Sequence, residues 1–373
     1  MDLSYGPEYE TFREEVRDFI AVNRHLAPKN AGRVARPSNE GVAWQKLLIE
    51  HGYTARTIPR EYGGFGAEPD ILKSRIIAEE FARAGVPGGL ANQGISMLVP
   101  TLLELGTEEQ KRRWIGEILA APGDRLAALA FTEVTGGANY NDPDPQAGVQ
   151  TFARREGDEW VITGKKHYTT NGSGWDGKGA HLLTVVCRTD PTLPPQESLA
   201  VIIVPGATPG VDVVGYLDTS GHRAVVSPII HFNNVRVPVG NIIGKPGDGI
   251  RICSGAFTWT AALIGAACVG VMRAAFDCAY QFALSDRRSG TVPVIQHQNV
   301  GYMLADLKMS GLAEASEKTL KGRASGSAGA VKKLIGKPID SGLAFRKLVA
   351  HLRARNDVQN IDMMNLTDRK SVV

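Results

Sequence analysis

The first third of the chain carries apolar residues at the spacing of an α-helix. The apolar positions of its first helix are Phe12, Val16, Phe19 and Ile20, with charged residues on the opposite face. A second helix is predicted over about Pro69–Ala84, with Gly85 as its C-cap. Thr107 can cap a third helix, and Gln110 stands three residues later, as a capping box requires. The pattern predicts an N-terminal helical domain over residues 1–124.

The pattern changes near residue 125 to short apolar runs separated by many Pro and Gly residues. Buried strands are predicted at Trp160–Thr163, His181–Cys187 and Leu199–Val204. This spacing predicts a middle antiparallel β-domain over residues 125–249.

A helical pattern returns at Ile250 and continues to about Ser285, and another helix is predicted from Asn299. Its stretch Ala256–Met272 has no charged residue, but it falls short of a membrane span and is rich in small side chains. We therefore expect a helix buried in a bundle and no membrane association. Residues 250–309 would begin a C-terminal helical bundle. Helices, then strands, then helices predict an α+β fold.

The charge balance and the cysteine content argue against nucleic-acid binding and against a metal site. The formal net charge is +3, from 42 Lys and Arg against 39 Asp and Glu, and no basic stripe is present, so a nucleic-acid partner is not expected. The four cysteines form no C-x-x-C pair, so neither a structural zinc nor another metal site is expected. The N-terminus has no signal or transit pattern, which indicates an intracellular and most simply a cytoplasmic protein.

Two short segments carry the candidate chemistry. Ala130–Asn139 and Thr163–Gly172 each run from a strand end into a loop with backbone N–H groups, hydroxyls and an aromatic ring. Such a set suits a flat heteroaromatic cofactor, which needs an apolar surface for its face and donors for its edge. No G-x-x-x-x-G-K or G-x-G-x-x-G motif stands between a strand and a helix, which argues against a Rossmann domain.

Several motifs in a fixed order resemble those of the acyl-CoA dehydrogenase superfamily. Pro59–Gly66 resembles P-x-E-Y-G-G-x-G, and Gly106–Lys111 resembles G-T-E-E-Q-K. Thr132–Asn139 resembles T-E-P-G-A-G-S-D, and Gly164–Asn171 resembles G-x-K-x-W-I-T-N. Val235–Pro238 resembles V-R-V-P. The resemblance runs from about Tyr9 to about Met309. It implies an FAD-dependent oxidoreductase that assembles as a homotetramer.

The resemblance also implies roles by position. Tyr168, where the family usually has Trp, would pack beside the flavin ring, and the Thr170 hydroxyl would reach flavin N5. Their alternatives are a half-buried strand aromatic and a turn residue, while His167 is expected on the surface. The remaining residues expected to face the flavin and its ribityl-phosphate are Leu129, Ala130, Phe131, Thr132, Gly137, Ala138, Asn139 and Thr169. Those expected to reach the FAD pyrophosphate of a neighbouring subunit are Arg287, Arg288, His297 and Gln298.

The helix that meets the substrate departs from the acyl-CoA enzymes. Phe257–Ala261 lacks the acid and the Arg of the family's F-D-K-T-R stretch, and resembles the nitroalkane oxidase branch more closely. Phe257 and Thr260 are the substrate-proximal candidates. The first hypothesis is an acyl-CoA dehydrogenase-like enzyme that removes an acidic α-proton and passes hydride to flavin N5. The alternatives are a nitroalkane oxidase-like flavoprotein that uses oxygen, and a catalytically incompetent fragment.

No catalytic carboxylate is identified in a family setting. Asp340, Asp357 and Asp362 stand where the sequence no longer resembles the family. Residues 310–373 are therefore interpreted as a non-family tail of artefactual origin. Loss of the family's C-terminal helices would expose apolar surface on the Ala256–Met272 helix, so we expect poor solubility, weak FAD retention and impaired assembly. Asp368–Val373 has the sequence encoded by GATCGGAAGAGCGTCGTG, a common sequencing-adapter string.

The coding DNA tests this interpretation of the tail. We expect the last six codons to read GAT CGG AAG AGC GTC GTG, followed by a stop. Any other choice of codons for these residues would contradict an adapter origin.

Overall fold

The computed structural model divides between Ile252 and Cys253 into two compact units. The described residues are 6–29, 38–89, 94–120, 126–144, 146–174, 177–219, 225–288 and 290–308. The predicted tail over residues 310–373 lies outside them.

The first unit begins with the predicted helices. They are α1 (Pro7–Asn23), α2 (Asn39–Glu50), α3 (Ile71–Ala84), α4 (Val99–Leu105), α5 (Glu108–Gln110) and α6 (Gly116–Ala120). A π-helical turn at Gly94–Leu98 precedes α4, and another at Lys111–Ile115 joins α5 to α6. The predicted caps of α3 and α5 are confirmed, because Gly85 has a φ of 64° after α3 and Thr107 forms a capping box with Gln110.

The core of this helical part is aromatic. Phe19 of α1, Trp44 of α2 and Phe81 of α3 are buried together, with ring centroids 6.0–6.5 Å apart. Val16 and Leu48 are fully buried in the same cluster. The predicted apolar face of α1 is thus the face that packs against α2 and α3, and burial of these large side chains is the main force that holds the three helices together.

A buried carboxylate joins α1 to α3. Glu80 accepts hydrogen bonds from Arg13 Nη1 at 2.7 Å and from Arg17 Nε at 2.9 Å, and its side chain is only 3% exposed. The hydrogen bonds from Arg17, together with those from Arg13, outweigh the effect of burial and lower the pKa of Glu80 from 4.5 to about 2. The carboxylate therefore stays charged down to strongly acidic pH.

The middle of the chain forms one sheet. Its strands are β1 (Ala127–Ala130), β2 (Phe152–Glu156), β3 (Glu159–Lys166), β4 (Leu182–Arg188), β5 (Leu199–Pro205), β6 (Val211–Tyr216), β7 (Pro228–Pro238) and β8 (Ile242–Ile243), with the short α7 (Pro195–Ser198) before β5. The order is β6-β7-β3-β2-β4-β5-β8, and β1 pairs with β4. Most pairs are antiparallel, as predicted. The prediction missed that β1 lies parallel to β4 and that β2 touches β4 in the same parallel sense.

Two of the family-like motifs meet at the border between the helices and the sheet. The Tyr62 hydroxyl donates to Glu108 at 2.9 Å. The Gln110 side-chain amide donates to the carbonyls of Gly240 and Ile242 at 2.8 and 2.7 Å. Gln110 thus completes a helix cap and also joins that helix to the strand region, which explains a polar side chain that is almost fully buried.

The long helix α8 (Gly249–Ser285) confirms the predicted helix from Ile250 to Ser285 and continues into the second unit. A short 3₁₀ turn at Val294–Gln296 and a helix from residue 298 follow, and the helix is described to residue 308. Ala279 and Ala283 of α8 pack with Leu304. Among the described residues, no helix is long and apolar enough to cross a membrane.

Glu80→Gln should lower the free energy of unfolding by about 2–3 kcal/mol at pH 7, because it removes the carboxylate that Arg13 is buried against. The folded-state pKa of Glu80 lies below the ordinary value. Its contribution is therefore complete above about pH 4.5 and disappears as the pH falls toward about 2. Urea unfolding of the full chain at pH 7, 4.5 and 3.5 measures the difference.

The matched control for this test is Glu156→Gln. Glu156 accepts from Arg154 and Arg236, both at 2.6 Å, but on an exposed face of the sheet. This change should have a much smaller effect on the free energy of unfolding, because solvent screens exposed charges. Equal effects of the two changes, or a Glu80 effect that grows in acid, would contradict the assignment.

Candidate functional site

The two predicted cofactor segments lie side by side in the first unit. The backbone N–H of His167, just beyond β3, donates to the carbonyl of Thr132, just beyond β1, at 2.7 Å. The ends of two strands that are not direct neighbours in the sheet are therefore joined by a hydrogen bond. The loops that follow β1 and β3 consequently form one continuous surface.

Tyr168 stands at the centre of this surface in an unusual backbone conformation. β3 ends at Lys166, and Tyr168 has a φ of 52°, in the left-handed region. Its side chain is 55% exposed, so the interpretation as a half-buried strand aromatic is wrong. His167, expected on the surface, is partly exposed.

Two threonines beside Tyr168 offer hydrogen-bond donors. Thr132 and Thr170 are both partly exposed. Within the described parts of the chain, neither of their backbone N–H groups has a protein acceptor. Thr169 lies between the site and the interior, fully buried, and its Oγ1 has no partner among the described residues. Thr169 therefore faces the core, and its neighbour Thr170 carries the accessible hydroxyl.

The Gly137–Asn139 loop is braced by one of its own side chains. Asn139 accepts from the N–H of Gly137 at 3.0 Å and donates to the carbonyl of Thr135 at 3.2 Å. Ala138 and Asn139 are exposed. Of the remaining residues predicted here, Leu129 is half-buried and Ala130 is buried, and Phe131 packs edge-on to Tyr140 at 5.3 Å. The side chains of Ala130 and Phe131 are therefore packed in the interior.

The other predicted residues belong to the second unit. Arg287, Arg288, His297 and Gln298 are all exposed. Arg288 Nε lies 2.8 Å from Asp286, and Gln298 donates to the hydroxyl of Tyr302 at 2.8 Å. Their contact with the pyrophosphate of FAD stays a prediction. Phe257 is half-buried on α8, and the Thr260 side chain lies outside the described residues.

A buried ion pair under the two loops was missed from the sequence. Lys166 Nζ lies 2.6 Å from Glu133 Oε1, with side chains 0% and 6% exposed. Glu133 also accepts from the N–H groups of Gln150 at 2.6 Å and Thr151 at 2.9 Å. Burial alone would raise the pKa of Glu133, but the charge and hydrogen bond of Lys166 outweigh it and lower that pKa.

This environment excludes Glu133 as a general base. A catalytic carboxylate for neutral pH needs a raised pKa and a free oxygen that faces the substrate. Glu133 has a lowered pKa and three donors on its two oxygens. The sequence does hold one indication of this pair. Glu133 and Lys166 both stand inside family-like motifs, and Lys166 occupies a buried position of a strand.

The donor set at this surface fits a flavin. An isoalloxazine ring has a flat face that needs an aromatic or apolar support and a polar edge that needs donors and acceptors. Tyr168 offers the exposed ring, and Thr132 and Thr170 offer hydroxyls and backbone N–H groups that have no acceptor in the described parts of the chain. All three side chains extend from backbone held by the His167–Thr132 hydrogen bond.

Thr169→Val should raise the free energy of unfolding by up to about 1 kcal/mol, because it replaces a buried hydroxyl that has no partner among the described residues by a methyl group of equal size. Thr184→Val is the matched control. The buried Thr184 hydroxyl donates to the carbonyl of Ala128 at 3.1 Å, so its loss should lower the free energy of unfolding by about 1 kcal/mol. Urea unfolding of both variants measures the contrast, and a destabilised Thr169→Val would contradict it.

Family models for acyl-CoA dehydrogenases match three successive parts of the chain. The N-terminal domain matches residues 6–121, the middle domain residues 128–235 and the C-terminal domain residues 247–326. The last match reaches past residue 309, so residues 310–326 of the predicted non-family tail do resemble the family. The predicted superfamily is confirmed.

Individual relatives fall in two groups of enzymes. A nitroalkane oxidase of Podospora anserina is 34% identical over 76% of this chain and 69% of its own length. A mitochondrial short-chain specific acyl-CoA dehydrogenase of Mus musculus is 29% identical over 92% of this chain and 76% of its own length. The chain spans between 62% and 76% of the length of such relatives.

Solved structures agree with the sequence matches. A nitroalkane oxidase active-site mutant crystallized with 1-nitrohexane has a TM-score of 0.66 and 27% identity, covering 94% of this chain and 86% of its own. The predicted α+β fold and the resemblance to the nitroalkane oxidase branch are thereby confirmed. The chain belongs to the acyl-CoA dehydrogenase family and is, with that family, a flavin-dependent oxidoreductase whose cofactor is FAD.

Proposed function

We propose that this chain holds FAD on the surface formed by the β1 and β3 ends and oxidises a small carbon acid. The observation that carries the proposal is the exposed Tyr168 on the same pair of loops as two threonines whose backbone N–H groups have no acceptor among the described residues. When bound, FAD supplies a two-electron acceptor for a carbon next to a nitro or carbonyl group. The protein supplies the surface that orients it.

The threonines have distinct roles in this proposal. Thr132 and Thr170 donate to the polar edge of the ring, and Tyr168 supports its face. By its position in the family motif, the Thr170 hydroxyl is the donor to N5. Leu129 and the exposed Ala138–Asn139 turn line the same surface, where backbone groups can serve the ribityl-phosphate part.

The residue that accepts the substrate proton is not among those described at this site. The mechanism requires a carboxylate with a raised pKa, and Glu133 does not meet that requirement. Asp340, Asp357 and Asp362 lie outside the described residues. We therefore assign the base to none of the residues described at this site.

A nitroalkane is the favoured substrate class. Phe257–Ala261 lacks the acid and the Arg that acyl-CoA enzymes carry at this place. The P. anserina nitroalkane oxidase is also more similar in sequence than the mouse acyl-CoA dehydrogenase, at 34% against 29% identity. A short-chain acyl thioester is the second candidate, because the mouse short-chain acyl-CoA dehydrogenase aligns over 92% of this chain. Homotetrameric assembly stays a prediction.

The absorbance spectrum of the purified protein with FAD, from about 300 to 550 nm, tests the proposal. We expect flavin bands that bleach anaerobically with 1-nitrohexane and return with consumption of oxygen. Bleaching by a short-chain acyl-CoA alone would favour the second candidate. Bound flavin that neither compound bleaches would contradict catalysis and identify a fold that binds FAD without a base, and absence of flavin bands would contradict the site.

Thr170→Val should slow flavin reduction by about tenfold to a hundredfold, the cost of losing one hydrogen bond to a group that gains charge. Thr169→Val is the control, since its hydroxyl lies in the interior. Stopped-flow absorbance of both variants, with the substrate that bleaches the wild type, measures the effect. Equal rates for Thr170→Val and wild type would remove Thr170 from the site.

A further inference from the structure

The Glu133–Lys166 pair lies directly beneath the proposed flavin surface. Lys166 is the last residue of β3, and Glu133 follows Thr132. Lys166 Nζ donates to Glu133 at 2.6 Å and also to the carbonyl of Phe131 at 3.0 Å. One ammonium group at the end of β3 therefore holds both neighbours of Thr132.

The carboxylate extends this connection to a third segment. Glu133 accepts from Gln150 and Thr151, at the start of the chain that enters β2. The pair thus fixes the ends of β1 and β3 and the entrance to β2 through charge-assisted hydrogen bonds in a buried place, where such bonds are strong.

The backbone above the pair is strained. Tyr168 adopts a φ of 52° although it is neither Gly nor Asn, and such a conformation persists only where the surroundings determine it. The constraints on the β1 side are the hydrogen bond from His167 to Thr132 and the two bonds of Lys166. The strained residue is the one that presents its ring.

Stability alone does not account for such a pair. The cost of removing a buried Lys and Glu from water offsets most of their attraction, and apolar replacements of similar size are often as stable. What the ion pair does determine is how the loops after β1 and β3 are positioned relative to each other. Both loops carry the donors of the flavin surface.

We propose that Glu133 and Lys166 are positioning residues, which hold Thr132 against Tyr168–Thr170 so that the surface is formed before FAD binds. This inference rests on the proposed function, because it names what orders that site. It predicts that loss of the pair weakens FAD binding even in a variant whose fold is intact.

The test uses the double variant E133Q/K166M beside the two single variants. Each single change leaves one buried charge without its partner and should lower the unfolding midpoint of the apoprotein. The double variant leaves none, so its midpoint should return toward that of the wild type. Its dissociation constant for FAD, from fluorescence titration, should still be at least about tenfold weaker.

The control is R13M/E80Q, which removes the buried pair of the helical part. It should leave the dissociation constant for FAD unchanged, whatever its effect on the unfolding midpoint. Amide exchange at His167 reports on the register without any cofactor. We expect faster exchange there in E133Q/K166M and no change in R13M/E80Q.

The outcomes separate this inference from the proposed function. A double variant that binds FAD like the wild type and keeps the His167 amide protected would overturn the positioning role. A wild type without measurable FAD affinity, whose His167 amide nevertheless loses protection in the double variant, would overturn the proposed function and support the role in register.

Discussion

The proposed site depends on the junction where the loops after β1 and β3 are held together. A backbone hydrogen bond from His167 to Thr132 joins the two loops, and the buried Glu133–Lys166 pair fixes the residues on both sides of that bond. Tyr168 adopts its left-handed conformation directly after this junction, and the threonine N–H groups that have no acceptor among the described residues lie on its two loops. The chemistry of the surface follows from this single constraint.

The two buried ion pairs of the first unit illustrate different uses of the same interaction. Glu80 is held by Arg13 and Arg17, which belong to the adjacent helix α1, and the pair joins elements that an aromatic core already packs together. Glu133 and Lys166 instead join the loops that follow β1 and β3. In the first case the pair adds to stability, whereas in the second it specifies a geometry.

The sequence could predict what depends on local signals. The helix after Asp70 and its stop at Gly85 follow from capping chemistry, and the strands at Leu182–Arg188 and Leu199–Pro205 follow from apolar runs. The order of the motifs identified the family and predicted flavin contacts for Tyr168 and Thr170. The observed helix begins at Ile71, two residues later than predicted, because the Asp70 side chain caps the N–H of Lys73.

The remaining features depend on residues that are distant in the chain. Glu133 and Lys166 are 33 positions apart, and a charged residue in a strand pattern is normally assigned to the solvent side. The parallel pairing of β1 with β4 and the left-handed Tyr168 likewise require the neighbouring strands to be in place. Sequence periodicity describes one element at a time, so it indicates neither the pairing of β1 with β4 nor the conformation of Tyr168.

The most direct test of the site is an NMR titration of the full chain with FAD, with isotope-labelled threonine amides. We expect the signals of Thr132 and Thr170 to shift, while those of Thr11 in α1 and Thr107 before α5 stay in place. Binding of FAD that leaves the Thr132 and Thr170 signals unchanged would contradict the proposed site.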